Sequence, residues 1–271
     1  MSQRPILEVR ELRKHFPLKS GLFGKGAGTV HAVDDVSFSV MQGETLGIVG
    51  ESGCGKSTTA RMTLRLLAAD SGRLRFGDTD LGKARGKGLR RLRKRLQFVP
   101  QNPQTSFNPR LSIGASIAFN LTVHGWDAAA AKARTGELLD HVGLGPAYAS
   151  RRPSALSGGQ LQRAAIARAL ATEPELVICD EAVSALDKSV QAQVLNLLAR
   201  LQGETGVAFL FISHDLAVVE HIADRVLVMK EGQIVEEGAA QMLWREPKHP
   251  YTRTLLAASP ERIAGRIGGR R

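Results

Sequence analysis

The chain has 271 residues, 43% of them apolar and 5% aromatic, with a formal net charge of +11. That length buries a substantial core, either as one large domain or as a core with a subdomain. No uncharged apolar run approaches the ~20 residues that span a bilayer, and the start MSQRPILEVRELRK is charged where a signal peptide is apolar. Export is not expected, and the chain reads as cytosolic. Cys54 and Cys179 are the only cysteines and stand too far apart in sequence to suggest a metal-binding pair.

The basicity is local. Residues 83–95, KARGKGLRRLRKR, hold eight basic and no acidic side chains, and the segment from Lys248 to Arg271 holds six basic residues against Glu261. Two solvated surface strips are one reading. A face held near anionic lipid headgroups, at ~1 kcal/mol per basic side chain, is a second. Nucleic acid is not expected, because the strips lack interleaved aromatics and match no reader motif.

In chain order, ILEVREL (6–12) and VHAVDDVSFSV (30–40) alternate apolar and polar residues as half-buried strands do. Between them PLKSGLFGKGAGT (17–29) reads as an exposed loop. ETLGIVG is a short apolar strand, followed by a glycine-rich loop and by KSTTARMTLRLL, which has helical spacing. FVPQNP ends another short strand. Residues 104–170 look mostly helical and form a helical subdomain. ELVICDE (175–181) is a buried strand leading into SVQAQVLNLLARLQ, where Val190, Val194, Leu197, Leu198 and Leu201 share one helical face. VAFLFISHD (207–215), the helix LAVVEHIAD and the strand RVLVMK follow. Apolar strands alternating with amphipathic helices indicate an α/β fold on a mostly parallel sheet. No internal repeat is visible.

Gly50-x4-Gly55-Lys56-Ser57 fits the phosphate-loop pattern in the required strand–loop–helix context. Glycines let backbone N–H groups converge on phosphate oxygens, and the helix N-terminus adds partial positive charge. Gly50, Glu51, Ser52, Gly53, Cys54, Gly55, Lys56, Ser57 and Thr58 are therefore expected to bind ATP. Lys56 is expected on the β- and γ-phosphates and Ser57 on Mg²⁺. Asp180 ends a buried strand at the edge where such sheets place ligands, and suits the Mg²⁺ hydration shell. Glu181 follows as a candidate general base for an attacking water, against the alternative that Asp-Glu merely caps the next helix. His214 ends the third buried strand and suits the γ-phosphate. Gln101 suits both metal and water.

LSGGQLQR (156–163) raises a separate question. Ser157 before Gly158 and Gly159 exposes free N–H groups at a helix start, with Gln160 beside them. One phosphate loop already serves one nucleotide. Either this is a plain helix cap, or it serves the nucleotide of a second, similar subunit facing it head to tail.

The ordered set GESGCGKST, Gln101, LSGGQ, LVICDE, SALD and His214 resembles the ATP-binding cassette of ABC transporters, from ILEVREL to EGQIVEEG. The resemblance implies a P-loop ATPase with an antiparallel N-terminal β subdomain and a helical subdomain, over residues 6–245. It implies Walker A at Gly50–Thr58 and Walker B ending in Asp180 and Glu181. It implies a Q-loop Gln101, a signature Ser157–Gln160 acting in trans, a dimer-seam Asp187 and a switch His214. Phe16 matches the aromatic that stacks on adenine. DEAVSALDKSVQAQVLNLL, QNPQTSFNPRLSIG and the tail KHPYTRTLLAASP (within 246–271) further resemble the oligopeptide, dipeptide and nickel importers. Their arrangement implies a second, different cassette, two transmembrane permease subunits, a substrate-binding protein, and a place on the cytoplasmic face of the membrane. A soluble ATPase of a phosphonate-degrading complex is the alternative. Cargo is not readable in a cassette.

Overall fold

The computed structural model describes residues 4–17 and 28–258, so most of the loop expected at 17–29 and the end of the basic tail lie outside the described residues. The chain forms two compact units, one of residues 1–86 with 211–271 and one of residues 87–210.

The first unit opens with β1 (Leu7–Pro17), β2 (Thr29–Val40), β3 (Thr45–Val49), α1 (Lys56–Thr63), β4 (Ser71–Phe76) and β5 (Thr79–Asp80). Helix α2 (Gly86–Arg95) starts at the boundary, and the second unit continues with β6 (Leu96–Val99), α3 (Ile113–Val123) and α4 (Ala128–His141). It closes with α5 (Gly158–Leu170), β7 (Leu176–Asp180) and α6 (Lys188–Thr205). The boundary falls inside β8 (Ala208–Ile212), and the first unit resumes with α7 (Leu216–Ile222), β9 (Arg225–Lys230), β10 (Gln233–Ala239), α8 (Ala240–Arg245) and α9 (Pro250–Ala257).

In the first unit an antiparallel sheet runs β2-β1-β4-β5. Leu7, Val9 and Leu12 of β1 are buried, and the register shift between Val9 and Leu12 keeps the apolar side inward where strict alternation would turn it out. Separately, β9 lies between β3, to which it is parallel, and β10, to which it is antiparallel. Every residue of β3 is buried, which is why it reads as a continuous apolar run.

In the second unit β6 and β7 are parallel, with Leu96 opposite Leu176. The expected helical region holds α3, α4 and α5 with short 3-10 turns between them. Ile113, Ile117 and Leu121, each four residues apart, present one fully buried stripe on α3. Asp127 caps α4 by accepting from the Ala129 and Ala130 N–H groups, and α6 ends at Gly206 in a left-handed conformation, φ 69°.

Three features differ from the sequence reading. Helix α1 stops at Thr63 although apolar spacing continues through LRLL, and Arg65 has φ 56°. Strand β6 ends at Val99, so Gln101 lies two residues beyond it. The strands β4, β5 and β10 carry few apolar residues, and pairing with β1, β4 and β9 defines them.

Candidate functional site

The phosphate loop joins the buried β3 to α1. Gly55, the N-cap of α1, has φ 108°, and a Cβ there would stand 2.1 Å from the Ala32 carbonyl oxygen. A Cβ on Gly50 would stand 2.1 Å from the Met229 carbonyl oxygen. Both glycines are therefore required by the close approach of neighbouring backbone. Lys56 is 4% exposed, and its Nζ donates to the carbonyls of Gly50 and Glu51, each at 2.7 Å, with the Cys54 sulfur 3.6 Å away. The ammonium thus sits within the loop's curve, where a phosphate group would displace those carbonyls.

The loop is fastened from two directions that the sequence did not suggest. The Gly232 N–H donates to the Cys54 carbonyl at 3.0 Å. The Glu51 N–H donates to the Tyr251 hydroxyl at 3.2 Å, from α9 of the tail. Tyr251 belongs to the stretch KHPYTRTLL, and His249 caps its helix by accepting from the Tyr251 N–H. Burial pushes the Tyr251 hydroxyl pKa above its ordinary value. In the same unit, His214 follows β8 and is exposed, with Asp215 capping α7 through the Ala217 N–H at 3.0 Å. Phe16, near the end of β1, is 39% exposed and pairs with Val30. The Lys14 ammonium stands over its ring, 5.5 Å from the centroid.

In the second unit β7 is wholly buried, and Asp180 at its end is 7% exposed. Glu181, next in the chain, adopts φ 50°, and its carbonyl accepts from the Ser184 N–H and hydroxyl. A left-handed conformation costs a residue with a side chain of order 1–3 kcal/mol, and such strain gathers at functional sites. The Glu181 carboxylate accepts a 2.6 Å hydrogen bond from the Gln101 amide. These two candidate residues are therefore held together.

The serine–glycine corner opens α5. Ser157 accepts from the Gln160 N–H while the Gln160 side chain accepts from the Ser157 N–H, a reciprocal capping box. The plain-cap reading is thus structurally true. The glycines carry a further constraint: a Cβ on Gly159 would stand 2.4 Å from Val190 of α6. Gln160 also donates to the Tyr148 hydroxyl at 3.1 Å, a partner with no sequence signal. Asp187 caps α6 by accepting from the Val190 N–H at 2.9 Å, so the start of α6 packs against the start of α5.

The family model for ABC transporters matches residues 33–184. A probable peptide ABC transporter ATP-binding protein of Sinorhizobium fredii, y4tS, is 52% identical over 258 residues, covering 94% of this chain and 72% of that protein.

The chain belongs to the ABC transporter family.

The glutathione import ATP-binding protein GsiA of Escherichia coli (strain K12) is 51% identical over 260 residues; the match takes in 94% of this chain and 41% of GsiA. The cassette thus spans about two fifths of that longer relative. Among solved structures, cbiO1 from Clostridium perfringens, part of the ABC transporter complex cbiONQ, matches with TM-score 0.78 and 26% identity over 97% of this chain and 99% of its own. The ATP-binding cassette MJ0796, in a dimeric post-hydrolysis state bound to ADP and Pi, matches with TM-score 0.75 and 25% identity over 86% of this chain and 98% of its own. The fold is that of the ABC ATPase cassette.

Proposed function

We propose that this chain is the ATP-hydrolysing subunit of an ABC importer for peptide-like cargo. The observation that carries the catalytic part is the pairing of Gln101 with Glu181, directly after the buried Asp180. Glu181 is a carboxylate held in one direction at the end of a buried strand, which is what a general base for water requires.

The phosphate loop binds the triphosphate. Its two steric glycines let the loop pass close against the Met229 and Ala32 carbonyls, and Lys56 supplies the charge that phosphate oxygens need. Mg²⁺ is assigned to the Ser57 hydroxyl, the Gln101 amide and the Asp180 carboxylate by their chemistry alone, since each offers a hard oxygen that could hold the ion directly or through water. When bound, the ion neutralises charge on the phosphates. His214 is assigned to the γ-phosphate and Phe16 to the adenine face. Positioning and charge neutralisation then supply the rate enhancement, with Glu181 taking the water's proton.

Ser157–Gln160 serves the nucleotide of a partner cassette, with Asp187 at the seam. Supporting this, the capping box takes up the Ser157 and Gln160 N–H groups, while helix geometry gives the Gly158 and Gly159 N–H groups no intrahelical acceptor. The pair of cassettes sits peripherally beneath two permease subunits on the cytoplasmic side. Among the described residues no helix is long and apolar enough to cross a membrane. A heterodimeric pair, a binding protein for delivery, and a division into a cassette at 6–245 and a tail at 246–271 complete the proposal. The peptide and glutathione names of the relatives favour peptide cargo over nickel.

The test is phosphate release by the purified chain, alone and with its partner subunits. ATP-dependent release that requires Glu181 is expected; binding of ATP without any release in either setting would contradict the reading.

A further inference from the structure

The first unit holds a cluster of side chains that ATP chemistry does not use. The antiparallel register of β1 and β2 sets His15 directly opposite His31, and their ring centroids lie 4.2 Å apart with planes at 44°. Asp34 stands three residues further along β2. Each of the three offers a ligand atom, and these atoms lie within 4.8 Å of one another. We propose that His15, His31 and Asp34 form a binding site for a divalent transition-metal cation of the zinc class.

Four observations carry the proposal. The Nε2 atom of His15 is buried and has no hydrogen-bond partner. Such an orphan costs ~1–3 kcal/mol, and a cation would satisfy it. Next, Asp34 is already oriented: its N–H donates to the Gly232 carbonyl at 2.8 Å, and its Oδ2 accepts from the Gln233 amide at 3.0 Å. Outer contacts of this kind hold a ligand's geometry, and they leave Oδ1 for a metal.

The neighbouring cations are disposed so that they do not block the site. Lys14 is drawn onto Asp70 at 2.6 Å. Arg13 reaches Asp34 Oδ1 only at 3.8 Å and has a nearer partner in Asp35 at 3.2 Å. Finally, the donors are two imidazoles and one carboxylate, a set that suits zinc, nickel, cobalt or copper rather than magnesium. Donors bound tetrahedrally at 2.0–2.1 Å stand roughly 3.4 Å apart. The ligand atoms, within 4.8 Å of one another, are thus about 1.4 Å or less beyond that spacing. Three protein ligands leave a fourth position for water, and the exposed His31 gives a path of entry. An occupied site would staple β1 to β2 at the residue preceding Phe16.

The test uses the full chain without an affinity tag and without nucleotide, titrated with Zn²⁺ by calorimetry and with Co²⁺ by absorption. One equivalent is expected, with a cobalt spectrum of nitrogen and oxygen ligands and no thiolate band. His31→Ala, at an exposed strand position, and Asp34→Asn should each weaken binding by roughly tenfold or more. Saturating Zn²⁺ should also raise the melting temperature of the wild-type chain but not of folded His31→Ala. No uptake, a thiolate spectrum, or equal affinity in folded His31→Ala would overturn the site.

Discussion

The Gln101 side-chain amide donates to the Glu181 carboxylate across 2.6 Å, joining residues eighty positions apart. Of the two, Glu181 carries the unusual backbone, with φ 50°. The carboxylate proposed to activate water is thus oriented from two sides: by its own strained turn, and by a glutamine beyond a different strand.

Replacing Glu181 with Gln keeps the shape and removes the basic oxygen. ATP affinity should stay close to wild type, while turnover falls by ~10²–10⁴. Calorimetry and phosphate release read the two quantities separately. Turnover near the wild-type rate would take Glu181 out of the proton-transfer role.

Tyr251→Phe deletes only the hydroxyl that accepts from the Glu51 N–H. A half-exposed hydrogen bond of this kind contributes ~0.5–1 kcal/mol, so ATP affinity should weaken by roughly two- to fivefold. An unchanged affinity would mean that the tail helix fastens the loop without tuning it.

Gly159→Ala brings a methyl group against Val190. Overpacking between α5 and α6 should cost ~1–3 kcal/mol in urea unfolding. In a Val190→Ala background the same change should cost much less, and the difference is the coupling energy. Equal costs in both backgrounds would refute the contact.

The two thiols should differ in reactivity. Cys179 is fully buried in β7, and burial, with Asp180 beside it, pushes its pKa far up; such thiols are inert. Cys54 is also buried, but at 7% exposed it is less enclosed than Cys179 at 0%, and it lies in the phosphate loop that nucleotide would cover. Iodoacetamide should label Cys54 alone in the native chain, ATP should protect it, and the labelled chain should lose nucleotide binding. Mass spectrometry with and without ATP checks all three.

What could be read in advance was local or periodic. The phosphate loop announces itself because its glycines, lysine and flanking strand are contiguous, and β3, β7 and β9 because a buried strand is an apolar run. Contacts between distant segments carry no such mark. Tyr251 lies two hundred residues from Glu51, and nothing in KHPYTRTLL says which loop its hydroxyl meets. The left-handed Glu181 was invisible because local preference argues against it; the Ser184 turn and the Gln101 bond hold it there. The sparse strands β4 and β10 follow the same logic, with tertiary pairing overriding local pattern, whereas α1 ends in a local turn in which the Leu66 and Leu67 N–H groups donate to the Arg61 carbonyl. The His15–His31 pairing depends on a register shift in β1 that alternation alone does not reveal.

Ser157–Gln160 is proposed to complete the nucleotide site of a second cassette. The most direct measurement is photo-cross-linking in the assembled pair, with a reactive ATP tethered through its γ-phosphate. This chain carries Lys56→Ala, so that only its partner holds the nucleotide. Label is expected on the peptide containing Ser157–Gln160 of the Lys56→Ala chain. Label confined to the partner would contradict that role.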